Sequence, residues 1–319
     1  MRDKQMATLA LVCAAACWGL APVATRELVA HLEPLHLLLL RFGIATVIFC
    51  PALLQFRAWL PADRLKMIGC GLVAMLGYYL PVTIGSRFIP SNATGLLVTT
   101  QTLWMAGLAA LFLRERMTGR LLAGIAISTG GILLLLGGAA AQALTGNWLL
   151  GGGLTLFAAL MWSIYSLAIR PLATKYGALT CTALTAIVGF APLLFSINAN
   201  LGSEVSALTL ETAVALIILA VCSTVIGNFL WNFGLVRLTG VQASLFLYLI
   251  PLVSVLGGVL LLHEAILAQT MISGALIVGG VAIAQSARAP AAAAQKSSGA
   301  GSSIPAAQLS TSSARADES

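Results

Sequence analysis

The 319-residue chain is 59% hydrophobic and only 8% charged, where a soluble domain carries about 25% charged residues. Seventeen basic and ten acidic residues cannot clothe a soluble protein of this length, and the mean hydropathy of +0.98 assigns the missing polar surface to lipid. A net charge of +7 suits nucleic acid or acidic partners in a soluble protein, but in a membrane protein it records topology.

A bilayer core about 30 Å thick needs about 20 apolar helical residues. Windows of that size run, in chain order, roughly from Met6 to Thr25, Pro34 to Phe56, Leu65 to Ile84, Asn92 to Leu113 and Arg120 to Gly138, then from Trp148 to Ile169, Ala178 to Ile197, Leu210 to Gly234, Gln242 to Leu262 and Gln269 to Ala287. Runs of this kind lack the alternation of barrel strands, so an all-α integral membrane bundle of ten transmembrane helices is expected. Arg2, Lys4 and the small residues Ala14, Ala15 and Ala16 resemble a secretory signal. The apolar run to Thr25 is too long for a signal core and reads as a first span. Residues 288–319 are Ala, Ser, Gly, Gln and Pro with scattered charges and are expected to form a disordered cytoplasmic tail.

Alternate loops sort the basic residues. Arg2, Lys4, Arg57, Arg64, Lys66, Arg114, Arg116, Arg120, Arg170, Lys175, Arg237, Arg288, Lys296 and Arg315 fall on one side, Arg26 and Arg87 on the other, and Arg41 inside the second span. That asymmetry places both termini in the cytoplasm.

The sequence also repeats. Glu115 with Gly130 and Gly131 matches Glu264 with Gly279 and Gly280, the stretch from Gly85 through Arg87 to Thr94 resembles Gly234 through Arg237 to Ser244, and Trp18 pairs with Trp162. Two five-helix halves result, residues 5–140 and 147–287. Five is odd, so the second half enters the membrane inverted, an organisation typical of secondary transporters.

These halves resemble the paired five-helix EamA units of the drug/metabolite transporter superfamily. The resemblance rests on Trp18-Gly19, Arg41-Phe42 with Ala45, Pro251, and the glycine-rich fifth and tenth spans behind Glu115 and Glu264. Trp231-Asn232 with Gly234, and Tyr248-Leu249-Ile250-Pro251, are similar to the aromatic amino acid exporters of the YddG type. The resemblance implies an inner-membrane exporter of amino acids or related metabolites. Gln101 stands where the second half has Pro251, so the fourth and ninth spans are not expected to bend alike.

Independently of that resemblance, polar and aromatic side chains at membrane depth mark candidate cavity walls. Gln101, Asn228 and Asn232 carry amides that hydrocarbon cannot satisfy. Asn228 and Asn232, four apart with Trp231 between them, share a helix face and suit either a site or an interhelical bond. Trp18 and Trp162 lie deeper than the interfacial belt. With Tyr78, Tyr79 and Tyr248 they suit a cargo with a flat apolar side chain and a zwitterionic head. Tyr78 and Asn228 are read as repeat equivalents. Gly19, Pro22 and Pro251 are the expected hinges.

Arg41 has two readings, an anion or carboxylate contact or a motif residue bonding backbone carbonyls between helices, and the second is preferred. Arg26, Glu27, Glu33, His31 and His36 read as solvated or snorkelling, and Glu115 and Glu264 as helix N-terminal caps. No Asp or Glu lies mid-span, which points to facilitated diffusion or exchange rather than carboxylate-based ion coupling. Three outlying His residues, six scattered Cys residues and the lack of a filter loop disfavour a membrane enzyme and a channel. An efflux carrier for cationic drugs or other small metabolites is the alternative. A small-molecule substrate, a lipid environment and a monomer are expected, with no nucleic acid, metal or cofactor.

Overall fold

The computed structural model describes residues 2–52, 60–112, 119–138, 146–237, 246–263, 265 and 267–286, and these are helical with no strand. The tail and both Glu115 and Glu264 lie outside the described residues. The rods are α1 (Arg2–Leu28), α2 (Pro34–Phe49), α3 (Pro61–Gly85), α4 in two pieces (Ser91–Val98 and Gln101–Phe112), α5 (Gly119–Gly138) and α6 (Gly146–Tyr176). They continue as α7 (Ala178–Phe190, extended by a 3-10 turn Ala191–Ser196), α8 (Leu210–Arg237), α9 (a 3-10 turn Phe246–Tyr248, then Leu249–Leu262) and α10 (Ala268–Ser286). A short helix, Asn200–Ser206, joins α7 to α8.

Local chemistry sets the ends. Pro34 and Pro61 open α2 and α3, where the missing N–H has no intrahelical partner to lose. Thr209 caps α8 by accepting from the Thr212 amide at 3.3 Å. Gly177, at φ 92°, makes the corner between α6 and α7 that a side chain would strain.

Five stretches, Gln5–Leu28, Pro61–Gly85, Asn147–Tyr176, Ala178–Ser196 and Leu210–Arg237, are long and apolar enough to cross a bilayer. Shorter apolar helices cover Pro34–Phe49, Leu122–Leu134, Leu249–Leu262 and Ala268–Gly280. Val47, Phe195, Leu210 and Leu260 stand outward on these rods, a surface made for lipid rather than water.

The packing repeats. Helix α1 lies on α8 and α9, while α6 lies on α3 and α4; α2 meets α7, α4 meets α9 and α5 meets α10. The contacts of α1 with α8 and α9 are answered by those of α6 with α3 and α4. Two departures from regular α-helix also recur. Helix α3 is π-helical over Val73–Tyr79 and α8 over Ile218–Gly227, segments that overlap when shifted by the repeat. Helix α4 breaks after Val98 where α9 has its 3-10 turn.

The break in α4 differs from the asymmetry expected from Gln101 standing opposite Pro251. Hydroxyls do in α4 what the proline ring does in α9: Thr99 donates to the carbonyls of Gly95 and Leu96, Thr100 to Leu97, and Thr102 to Thr99. Such back-bonding competes with the helix ladder and bends it. At Pro22, by contrast, α1 continues unbroken. Gly19 there serves close approach to α9, since a Cβ on it would clash with the Val253 Cβ.

Candidate functional site

A cavity lies between α1, α2, α3, α4, α6, α8 and α9, lined by Trp18, Pro22, Thr25, Arg41, Tyr78, Tyr79, Val82, Ser86, Gln101, Trp162, Ser223 and Ile250 among others. It thus gathers Trp18, Tyr78, Tyr79, Gln101 and Trp162 from the expected site. Asn228, Trp231 and Asn232 do not line it, and the Tyr248 side chain lies outside the described residues. The cavity is small, about 50 Å³, which is room for a few water molecules at about 10–15 Å³ each. A ligand the size of an amino acid enters only if the walls part.

The floor of the cavity is an aromatic layer. Trp162 meets Trp18 edge-on at 5.4 Å between ring centroids, Tyr78 at 4.7 Å and Tyr165 at 5.0 Å, and Trp18 meets Trp231 at 5.2 Å. The Trp18–Trp162 pair has the favoured edge-to-face geometry, and the other pairs are tilted by 43–46°. The π-helix of α8 positions Trp18. The Trp18 Nε1 donates to the Ser223 carbonyl, which lies in that π-helical segment, at 3.2 Å. Gly227 makes room, because a Cβ there would lie 2.8 Å from that nitrogen.

Beneath the layer the molecule is solid. Leu11, Met67, Ile169, Leu172, Leu184 and Leu235 pack as buried core. At the far end of this core Asp63 accepts from Lys175 at 2.6 Å and from the Tyr176 hydroxyl at 2.8 Å, tying α3 to α6. Beyond the cavity in the other direction is a wider space of about 630 Å³ lined by Arg26, Glu27, Val29, Ala30, Arg87, Pro90, Leu261 and Leu262. Cavity and vestibule follow one another along α1 and α3, since Thr25 and Ser86 line the first while Arg26 and Arg87 line the second.

Of the residues read as solvated near this rim, Arg26 and His36 are cross-links, and Arg87 joins them. Arg26 donates to the carbonyls of Ser86 and Arg87 at 2.7 and 2.8 Å, and Arg87 to that of Leu32 at 3.2 Å. His36 is fully buried, its Nδ1 2.8 Å from Glu204 and its Nε2 3.1 Å from the Ser196 carbonyl.

The two asparagines prove to be interhelical. Asn228 Nδ2 donates to the Tyr79 hydroxyl at 2.9 Å and Asn232 Nδ2 to the Thr182 hydroxyl at 2.7 Å. Tyr79 and Asn228 are 149 residues apart, so the partner of Asn228 in the repeat is Tyr79 and not Tyr78. The shift arises because Arg87 and Arg237, used to align them, are offset by one from the Glu115 and Glu264 register. Ser128 likewise donates to the carbonyl of Ile277, 149 residues on, at 3.0 Å.

Arg41 was the lining residue that sequence reasoning undervalued. It bonds hydroxyls rather than backbone carbonyls: Nε donates to Thr224 at 2.6 Å and Nη2 to Ser223 at 3.2 Å. Its guanidinium carbon lies 5.0 Å from the Tyr79 ring centroid, a cation–π contact.

The family model of EamA-like transporters matches residues 5–137 and again residues 149–285. The chain belongs to the EamA-like transporter family. It is a membrane-embedded transporter of small molecules. Among relatives of this EamA chain, a probable terminal-alkyne amino-acid exporter of Streptantibioticus cattleyicolor is 29% identical over 86% of this chain and 92% of its own length. An uncharacterized transporter of Archaeoglobus fulgidus is 27% identical over 83% and 94%. A probable amino-acid metabolite efflux pump of Escherichia coli is 26% identical over 88% and 94%. One solved crystal structure shares the fold at a TM-score of 0.62 and 23% identity, covering 89% of this chain and 98% of that one.

Proposed function

We propose that this EamA transporter exports neutral amino acids, aromatic ones among them, and related metabolites across the inner membrane by alternating access. The observation that carries the reading is the cavity whose walls are indoles and phenols and whose polar groups are amide, hydroxyl and guanidinium. Flat apolar side chains stack on such walls while a polar head finds hydrogen bonds. The printed descriptions of two relatives as amino-acid exporter and efflux pump agree with it.

The basic-residue asymmetry supports ten spans with both termini inside. Under that orientation the Asp63–Lys175 end faces the cytoplasm and the vestibule faces out, so the aromatic layer is the closed inner gate. Trp18 against Trp162, Tyr79 against Asn228 and Ser128 against Ile277 each bring a residue to its own repeat equivalent. Such self-contacts lie on the axis of an inverted repeat, about which the two halves exchange conformations. Gly19, Pro22 and Pro251, all near this axis, are the proposed hinges.

The cationic-drug reading is disfavoured by Arg41, because among the described residues no carboxylate lines the cavity to offset its charge. Thermal unfolding of the purified protein with a ligand panel tests the choice. Phenylalanine, tryptophan and leucine at 100 times their dissociation constants are expected to stabilise by about 2.7 kcal/mol. Stabilisation by cationic drugs with none from amino acids would reverse the assignment.

A further inference from the structure

Arg41 presents a problem that the described residues do not solve. It sits on α2 about seven residues in from Pro34, is 5% exposed, and lines the cavity. Its two hydrogen-bond partners, Thr224 and Ser223, are neutral hydroxyls, so they orient the guanidinium without neutralising it. Of five N–H donors, those bonds use two. Among the described residues the ion pairs are made by His31, His36, Lys66 and Lys175, and none reaches Arg41. A buried charge is normally paired, because its desolvation is repaid only by an opposite charge with good geometry. At membrane depth the penalty is larger still.

We infer that Arg41 is the carboxylate-binding residue of the cavity and that the ligands it takes are organic monocarboxylates with an apolar side chain. The inference rests on the cavity being the substrate site. A carboxylate accepts two parallel N–H bonds from the planar guanidinium fork, a match that an amide or ester lacks. The Tyr79 ring behind the guanidinium and the hydroxyls of α8 hold the fork in place. Arg41 is therefore bound to α2 and pinned to the π-helix of α8, so an arriving carboxylate engages both halves of the repeat.

The test is a ligand–protein cycle on the full chain in lipid nanodiscs. Binding is measured for L-phenylalanine and L-phenylalaninamide, and for 3-phenylpropionate and its amide, which differ from one another in the carboxylate without an amino group present. The wild-type chain is expected to bind each acid at least about tenfold more tightly than its amide. Arg41→Gln is expected to bind acid and amide alike, and Arg41→Lys to keep part of the preference, with the thermal unfolding profile reporting the fold of each variant. The wild-type comparison stands even where a variant does not fold. Equal binding of acid and amide by the wild-type chain, or a preference that survives Arg41→Gln, overturns the role of Arg41 and leaves the transporter assignment intact. Failure of all four compounds to bind the wild-type chain overturns the amino-acid reading itself.

Discussion

Replacing Trp162 with Ala is expected to destabilise the chain by about 3–5 kcal/mol, whereas Trp162→Phe loses a minor part of that and yet weakens ligand binding about tenfold. The two substitutions separate what the indole does. Trp162 is 4% exposed and touches Trp18, Tyr78, Tyr79 and Tyr165, so truncation to Ala opens a void at the centre of the aromatic layer. Phe keeps a ring in that place. The indole Nε1, however, is buried without a hydrogen-bond partner. Removing an unpaired donor leaves no protein acceptor stranded, so stability suffers little on that account. Trp162 lines the cavity, and once the walls part its N–H is available to an acceptor on a bound ligand, so its loss appears only when ligand is added. Thermal unfolding and binding isotherms on both variants make the check. A Phe variant that binds amino acids as the wild type does would show that the N–H plays no part in recognition.

The second large effect concerns α5 and α10. Gly280→Ala is expected to destabilise by about 2 kcal/mol, while the neighbouring Gly279→Ala stabilises by about 0.5–1 kcal/mol. A Cβ on Gly280 would clash with the Ser128 Oγ and meet the Gly124 carbonyl oxygen and the Ser128 amide nitrogen at 2.6 Å; a Cβ on Gly279 meets nothing within 4 Å. The last two of these contacts are with backbone, which cannot swing aside. The Cβ on Gly280 also falls beside the Ser128 to Ile277 hydrogen bond that joins repeat equivalents. Close helix approach through small residues is the main attraction between helices in lipid, where burial of apolar surface supplies little. Only Gly279 is free to gain the helix propensity of alanine. Equal melting temperatures for the two variants would contradict the interface.

Much of this architecture was written in the sequence because lipid imposes simple rules. Uninterrupted apolar runs can only be helices at membrane depth, and paired glycines behind Glu115 and Glu264 exposed the repeat. The aromatic part of the cavity was legible too, since Trp18 and Trp162 sit too deep for interfacial anchors.

What escaped depended on distance in the chain or on backbone detail. Asn228 and Asn232 look alike as buried amides, and only the positions of Tyr79 and Thr182, 149 and 50 residues away, show that they join helices. The one-residue slip between Tyr78 and Tyr79 decides which ring reaches Asn228, and the π-helical turn that ends at Tyr79 leaves no trace in hydrophobic periodicity. The bend in α4 hid in Thr99, Thr100 and Thr102, whose bonds to their own backbone leave no mark on composition. Arg41 hid behind its own motif: a residue that fits an architectural pattern gives no sign of whether its charge is matched. The signal available was the shortage of mid-span carboxylates, which leaves a deep cation without a partner.

Alternating access is the central claim, and counterflow tests it most directly. Proteoliposomes preloaded with unlabelled phenylalanine and diluted into trace labelled phenylalanine are expected to take up label to a transient maximum above the equilibrium level, because each outward passage of unlabelled substrate returns the site for labelled entry. Uptake that rises only to equilibrium, at the same rate with and without preloading, would contradict the account.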